Sequence, residues 1–250
     1  MKSVSNFIVV GAQRSGSTYL YNLLAQHPEI AMAQPVRPEP KYFLNRAVNE
    51  VDLDGYFGTY FSAANESQHV LGEKSTSYYE VPAAADCIRA ALPGTKIIFI
   101  LRDPVHRAIS NYYFSLNHGL ETRTLEEVFI DDAPAPSLEG RTLSVNPFDY
   151  LGRGEYHRFV TIYQDRFPAD QIFICTLEQL RVDDAELTRL YGFLGIDTTF
   201  RPENRQKVVN DSKKIAPVPA QVIEKLTGYY RDHNEKLAEL TGLDLSAWVK

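Results

Sequence analysis

Residues 7–18 read Phe-Ile-Val-Val-Gly-Ala-Gln-Arg-Ser-Gly-Ser-Thr, and this stretch decides the fold. Phe7 to Val10 is a short apolar run that stops at Gly11, the pattern of a buried strand in a parallel sheet. From Ser17 to Gln26 the spacing becomes helical, with Leu20, Leu23 and Leu24 on one side, until His27-Pro28 ends it. Between the two lies Gly11–Thr18, a glycine loop that opens a helix. Amide groups at a helix start and the positive end of its dipole favour an anion there. Gly11 and Gly16 permit the tight turn and the close approach of backbone to ligand.

The spacing is that of a P-loop, G-x-x-x-x-G-K-[ST], with one difference. Position 17 holds Ser, where a nucleotide triphosphatase needs a Lys on the β/γ-phosphates together with Mg²⁺. The basic residue stands inside the loop, at Arg14. The candidate anion ligands are Arg14, Ser15, Gly16, Ser17, Thr18 and Tyr19. One guanidinium, hydroxyls and amides suit a phosphosulfate used without a metal. A P-loop kinase or nucleotide hydrolase using ATP–Mg²⁺ is the competing reading.

Further out, Lys96–Leu101 (KIIFIL) reads as a central strand, and Arg102 sits at its C-terminal end, where open α/β sheets bind ligands. Asp103 as N-cap and Pro104 at the first helical position start a helix. Ser110 lies seven residues past Asp103, two turns on, so Arg102 and Ser110 can converge on a second phosphate. Arg107 is placed for an i,i+4 pair with Asp103. Ile30–Met32 and Gln171–Thr176 read as further strands. Helices are expected over Gly154–Phe167, over Glu186–Leu194 up to Gly195, and over Ala220–Leu240. The last shows apolar spacing at Val222, Leu226, Tyr229, Leu237 and Leu240. Gly119–Asn146 reads as a partly helical insertion and Pro202–Pro219 as a basic, irregular segment. Alternating strands and helices predict an α/β fold, a three-layer sandwich with a central parallel sheet flanked by helices, in one domain over residues 1–250.

The 250 residues are 44% apolar and 23% charged, an ordinary globular composition. A net charge of −6 gives no field for general nucleic-acid or membrane-surface binding, so an anionic ligand must be held by local basic residues. Cys87 and Cys175 lie in apolar stretches and read as buried thiols, and the six His are scattered, with no metal-ligand cluster. No apolar stretch approaches the ~18–20 residues that span a bilayer, and no signal peptide is visible, so the expectation is a cytoplasmic chain or one trimmed of its targeting segment.

Taken together, GAQRSGSTYLYNLLAQHPEI (11–30), EPKYF (39–43), GEKSTSYY (72–79) and KIIFILRDPVHRAISNYY (96–113), followed by FPADQIFI and NDSKKIAP, resemble the sulfotransferase family. The order of elements is similar to that of heparan sulfate 3-O-sulfotransferases and their bacterial carbohydrate and small-molecule relatives. The resemblance implies a P-loop-like fold and direct transfer of a sulfuryl group from 3′-phosphoadenosine-5′-phosphosulfate (PAPS) to a hydroxyl or amine of a glycan or small molecule. Adenosine 3′,5′-bisphosphate (PAP) is then the product, and no metal is expected. Carried onto this sequence, Arg14 to Thr18 hold the 5′-phosphosulfate, and Arg102 and Ser110 the 3′-phosphate. Glu39 matches the general base, Lys41 a neighbouring catalytic position, and Lys74 a lysine near the sulfuryl group.

Some features depart from the family. Arg14 stands where the Golgi relatives have Lys. Ser212-Lys213-Lys214-Ile215 replaces a Ser-Lys-Gly-Arg run, which leaves Lys213 and Lys214 as candidates for the 3′-phosphate. The Golgi membrane anchor and late disulfide have no counterpart here, in keeping with a cytoplasmic, bacterial-type enzyme. Tyr156 is a candidate for the adenine site, and His118 either lines the acceptor cleft or is a plain loop histidine. Tyr42, Phe43, Tyr78, Tyr79, Tyr112 and Tyr113 cluster near the motifs, as stacking platforms or as core. The acidic balance argues against a polyanionic glycan as acceptor.

Overall fold

The strand expected at Phe7–Val10 is β1 (Ser5–Gly11), and it lies at the middle of a five-stranded sheet. The computed structural model describes residues 5–140, 142–203 and 217–248. β2 (Ile30–Met32), β3 (Val70–Lys74), β4 (Lys96–Leu101) and β5 (Ile172–Thr176) complete the sheet in the order β2-β3-β1-β4-β5, and all four pairings are parallel. The contacts divide the chain into two compact units. Described residues 5–101 and 159–203 form the first, and 102–158 with 217–248 the second, residue 141 excepted.

The first unit holds the sheet, α1 (Ser17–Leu24), α2 (Leu53–Tyr60), α3 (Pro82–Ala91), α7 (Leu177–Val182) and α8 (Asp184–Leu194). Side chains alternate along each strand, so residues paired in parallel register share a face. On one face Phe7, Val9, Ile98, Ile100 and Phe173 pack with Leu20, Leu23 and Leu24 of α1 and with Leu187, Leu190 and Leu194 of α8. On the other, the Phe99 ring lies 5.2 Å from Tyr163 and 6.2 Å from Tyr79. Tyr163 belongs to α6 (Tyr156–Gln164), whose first residues fall in the second unit. Helix, sheet and helix thus give the three layers expected from the alternation. Cys87 and Cys175 are free and buried, and burial raises both thiol pKa values.

Gly72 is required by packing across β1 and β2. A Cβ there would lie 2.1 Å from Phe7 Cζ and 2.6 Å from Met32 Sδ.

The second unit is helical. α4 (Pro104–Asn117), α5 (Leu125–Phe129) and α9 (Ala220–Thr241) share a core of Val105, Ile109, Tyr112, Phe129, Tyr150, Val222, Leu226 and Tyr230. α9 corrects one expectation. The buried stripe is Val222, Leu226, Tyr230 and Leu237, while Tyr229 and Leu240 stay 37% and 39% exposed. The stripe keeps four-residue steps where the sequence reading took a three-residue step to Tyr229. Arg107 is fully buried, with its guanidinium on the Tyr150 carbonyl and 3.5 Å from Asn111 Oδ1.

Glu121 anchors the segment after α4. Its carboxylate accepts from the Thr122 and Arg123 amides at 2.9 Å each, from Arg123 Nη2 at 2.7 Å and from the Tyr150 hydroxyl at 2.8 Å. Burial alone would raise its pKa, but the Arg123 and Tyr150 hydrogen bonds outweigh burial and lower it to about 2.

Two stability experiments follow. Gly72→Ala should destabilise by about 1–3 kcal/mol through overpacking, seen as a lower Tm, whereas Gly94→Ala, where a Cβ meets nothing within 4 Å, should leave Tm unchanged. A carboxylate whose pKa is depressed on folding contributes stability above its ordinary pKa of 4.5 and loses it as pH falls toward 2. Urea midpoints measured across that window should therefore fall more steeply for the wild-type chain than for Glu121→Gln.

Candidate active site

The phosphate loop takes its position from β1. Val9 pairs with Lys74 of β3, and after a bulge Gly11 pairs with Phe99 of β4. The Ala12 amide then donates to the Ile100 carbonyl at 2.8 Å, so the loop leaves the sheet as a continuation of the β1–β4 ladder. Arg14 (φ 67°) and Gly16 (φ 90°) are both left-handed and curl the chain into α1. At Gly16 the conformation requires glycine twice over, because a Cβ would also lie 2.7 Å from Leu177 Cδ1. No side chain caps α1, and its first helical bond runs from Leu20 N–H to the Gly16 carbonyl at 2.9 Å. The first amides of an α-helix have no intrahelical acceptor, so this end is built to receive an anion.

The loop side chains divide by burial. Ser15 is fully buried, Ser17 nearly so, and Arg14 and Thr18 are half-buried. The Tyr19 ring packs in the core beneath the sheet, so only its backbone belongs to the loop surface.

Glu39 and Lys74 come together although 35 residues separate them. Lys74 Nζ lies 2.6 Å from Glu39 Oε1, the Thr76 amide donates to Oε2 at 2.9 Å, and Thr76 Oγ1 is 3.1 Å from both oxygens. The Lys74 side chain is only 3% exposed and that of Glu39 16%. Glu39 is therefore not a solvated loop carboxylate, nor Lys74 a surface lysine. Lys41 is left-handed (φ 50°), and its amide donates to Ser75 Oγ at 2.9 Å; two residues on, the Phe43 amide donates to the Tyr78 hydroxyl at the same distance. Ser75 and Thr76 were not singled out by the sequence, and Tyr78 was expected only as a stacking platform or core ring, although all three lie within the quoted GEKSTSYY stretch. Their signal was proximity to Lys74, with no charge to mark them.

In the second unit, Asp103 caps α4 by accepting from the Val105 amide at 2.8 Å, with His106 Nδ1 3.3 Å from its other oxygen. Ser110 is half-buried on the same helix. Tyr156 is buried, its ring 5.9 Å from Trp248, and its hydroxyl donates to the Arg102 carbonyl at 2.7 Å. Its side chain thus fixes the Arg102 backbone and presents no exposed face for stacking. His118 ends α4, with Nδ1 2.8 Å from the Phe114 carbonyl and its ring against Phe114. Lys213 and Lys214 lie outside the described residues.

A family model, described as a sulfotransferase domain, matches residues 5–216 and so takes in the loop, the Glu39–Lys74 pair and the Arg102 motif. The chain belongs to the sulfotransferase family. This sulfotransferase is 29% identical over 98% of its length to human bifunctional heparan sulfate N-deacetylase/N-sulfotransferase 3 and 27% identical over 95% to the Drosophila melanogaster bifunctional enzyme. It covers 31% and 26% of those proteins, so it spans about a third of the length of the curated relatives it matches. Among solved structures it is similar to a sulfotransferase from Alicyclobacillus acidocaldarius, with a TM-score of 0.73, 25% identity, and coverage of 98% of this chain and 99% of that one. The sulfotransferase domain of the Synechococcus olefin synthase shares the fold, with a TM-score of 0.51 at 18% identity over 98% of this chain and 97% of that one. Ser17 in place of the Walker lysine agrees with that family rather than with a P-loop kinase.

Tyr156→Phe should weaken PAP binding several-fold by calorimetry, since losing one hydrogen bond to the Arg102 carbonyl is worth about 1 kcal/mol.

Proposed function

We propose that the donor is PAPS, that PAP is the product, and that residues 1–250 work as one sulfotransferase domain with Glu39 as the base. The observation that carries this reading is the double grip of Lys74 and Thr76 on the Glu39 carboxylate, one strand away from the phosphate loop. The loop fits a phosphosulfate, since it offers an uncapped helix start, a left-handed turn and the half-buried Arg14 and Thr18. Arg102 and Ser110 take the 3′-phosphate. Bound there, the donor supplies an activated sulfuryl group and a stable bisphosphate leaving group.

Each protein group has a distinct task. Glu39 accepts the proton of the attacking hydroxyl or amine at a carboxylate oxygen, and the Thr76 amide keeps that carboxylate in place. Lys74 and Arg14 supply the positive charge that offsets negative charge growing on the leaving side. The lysine also holds Glu39, so base and electrophilic cation are set by one contact. Arg14 binds and orients but transfers no proton, because its guanidinium stays charged.

The acceptor we propose is a lightly sulfated saccharide. The relatives above are heparan sulfate N-deacetylase/N-sulfotransferases, and the net charge of −6 disfavours a heavily sulfated chain. The screen uses ³⁵S-labelled PAPS with de-N-sulfated heparin, N-acetylheparosan and 2-naphthol. Label on the first supports an amine acceptor, on the second a sugar hydroxyl, and on the third alone refutes the saccharide.

Glu39→Gln should lower kcat at least ~100-fold, the low end of the contribution of a general base, while PAP affinity by calorimetry stays at the wild-type value. Full turnover in that variant would remove Glu39 from the mechanism. Arg14→Ala and Arg102→Ala should each weaken PAP binding by about 1.5–3 kcal/mol, as for a hydrogen bond to a charged group.

A further inference from the structure

A general base must hold its place in two states, as a carboxylate before it takes a proton and as a neutral carboxyl afterwards. A carboxylate offers about four lone-pair positions, all of them acceptors. Around Glu39 the partners come from Lys74 and Thr76. Lys74 Nζ lies 2.6 Å from Oε1, the Thr76 amide donates to Oε2 at 2.9 Å, and Thr76 Oγ1 stands 3.1 Å from each oxygen. Three donors thus meet the ionised group, and one position is left for an incoming proton.

The partners differ in what they tolerate next. An ammonium and an amide N–H only donate, whereas a hydroxyl both donates and accepts. The ammonium holds Oε1, so the proton is borne on Oε2, beside the Thr76 amide, which is itself a donor. Once the product has left, a carboxyl O–H at that place needs an acceptor. Among the described residues, Thr76 Oγ1 is the one atom within hydrogen-bond distance of Oε2 that can accept. Its own proton turns away, and no covalent bond to it is made or broken.

The placing of Thr76 suits that exchange. The residue is buried, and its hydroxyl bonds only to Glu39 among the described residues. A buried hydroxyl is costly unless it is hydrogen-bonded. Branching at Cβ restricts χ1, so the amide and the hydroxyl stay aimed at one carboxylate. A valine would fill the same space but would offer a protonated carboxyl nothing.

We propose that Thr76 is a positioning residue for sulfuryl transfer, its hydroxyl donating to the Glu39 carboxylate and then accepting from Oε2 of the protonated carboxyl. The proposal rests on Glu39 being the base. In the transfer, the attacking oxygen or nitrogen gives its electron pair to sulfur. The bond from sulfur to the phosphate oxygen breaks with its pair going to that oxygen, and the attacking group's proton passes to Glu39 Oε2. Thr76 then holds the neutral carboxyl until the proton is returned to solvent.

The test reads the two states separately. Glu39→Gln puts a neutral group of the same shape at the site, and its side-chain amide donates as a carboxyl O–H does. In that chain, NMR should show one proton of the new side-chain amide exchanging slowly. Adding Thr76→Val should speed that exchange at least ~10-fold, and adding Thr76→Ser should leave it slow. With Glu39 in place, Thr76→Val should lower kcat at least ~10-fold with the acceptor that the ³⁵S screen identifies, and leave PAP affinity by calorimetry unchanged. Thr76→Ser should keep kcat within about threefold of wild type, since only χ1 becomes freer. In the Glu39→Gln background Thr76→Val should cost no further turnover, because a residue that acts through another is silent once that other is gone. Side-chain amide exchange indifferent to Thr76→Val overturns the proposal. So does wild-type kcat in Thr76→Val, or a loss that Thr76→Ser shares. Full activity of Glu39→Gln refutes the base and is read separately, because the exchange experiment needs no turnover. Should Thr76→Val not fold, Thr76→Ala removes the same hydroxyl, and the same outcomes decide.

Discussion

Two-sided parallel pairing of β1 is the constraint on which the first unit depends. With β3 on one side and β4 on the other, the C-terminal ends of three strands come to a common edge. Val9 sits level with Lys74, and the loop continues from Gly11 along β4 to the Ala12–Ile100 bond. The phosphate loop and the Lys74–Glu39 pair therefore occupy neighbouring strand ends without any side chain having to reach across the sheet. Open α/β sheets bind ligands at this edge for that reason. Packing enforces it, since Gly72 must have no side chain if Phe7 and Met32 are to close over β3.

The short run Glu73 to Tyr78 supplies contacts to Glu39, Lys41 and Phe43. A strand end alternates its side chains between two faces, and the chain that leaves it can wrap around a neighbour. Here one face offers a cation to the Glu39 carboxylate and the other carries a buried carboxyl beneath the segment that bears it. Electrostatic preorganisation of this kind gains most where water is excluded, and the Lys74 side chain is only 3% exposed. In the second unit the Arg102 backbone is tied by the Tyr156 hydroxyl.

Much of this was legible in the sequence, and the exceptions have physical causes. β1, β4 and β5 are nearly unbroken apolar runs, as strands covered on both faces must be, and α4 announces itself by Asp103 and Pro104. β3 gave no such signal. Its five residues, Val-Leu-Gly-Glu-Lys, include a glycine demanded by packing and two buried charged residues held by Tyr56 and Glu39, so periodicity failed there. α3 was marked by Pro82 at its start but has a weakly apolar, alanine-rich face. Tyr229 and Tyr230 are adjacent, and only the position of Tyr150 and Gly154 decides that Tyr230 turns inward. Motif resemblance placed Glu39 and Lys74 in one site, yet nothing local could show that they touch, because the contact spans 35 residues and closes only when β3 pairs with β1. Ser75 and Thr76 stayed hidden because hydroxyls beside a charge carry no pattern of their own, and Tyr78 was read for its ring while its hydroxyl holds the Phe43 amide.

Gly11–Thr18 is built to receive an anion, with an uncapped helix start and a left-handed turn. The absence of a Walker lysine, Arg14 within the turn and the family to which the chain belongs turn that site toward a phosphosulfate. We propose that the loop around Arg14 receives the phosphosulfate of PAPS. The most direct measurement is calorimetric titration of the wild-type chain with PAP and, separately, with ATP and Mg²⁺. The account predicts 1:1 binding of PAP, unaffected by added EDTA, and no heat from ATP–Mg²⁺ at the same concentrations. Tight binding of ATP–Mg²⁺ with none of PAP would contradict it.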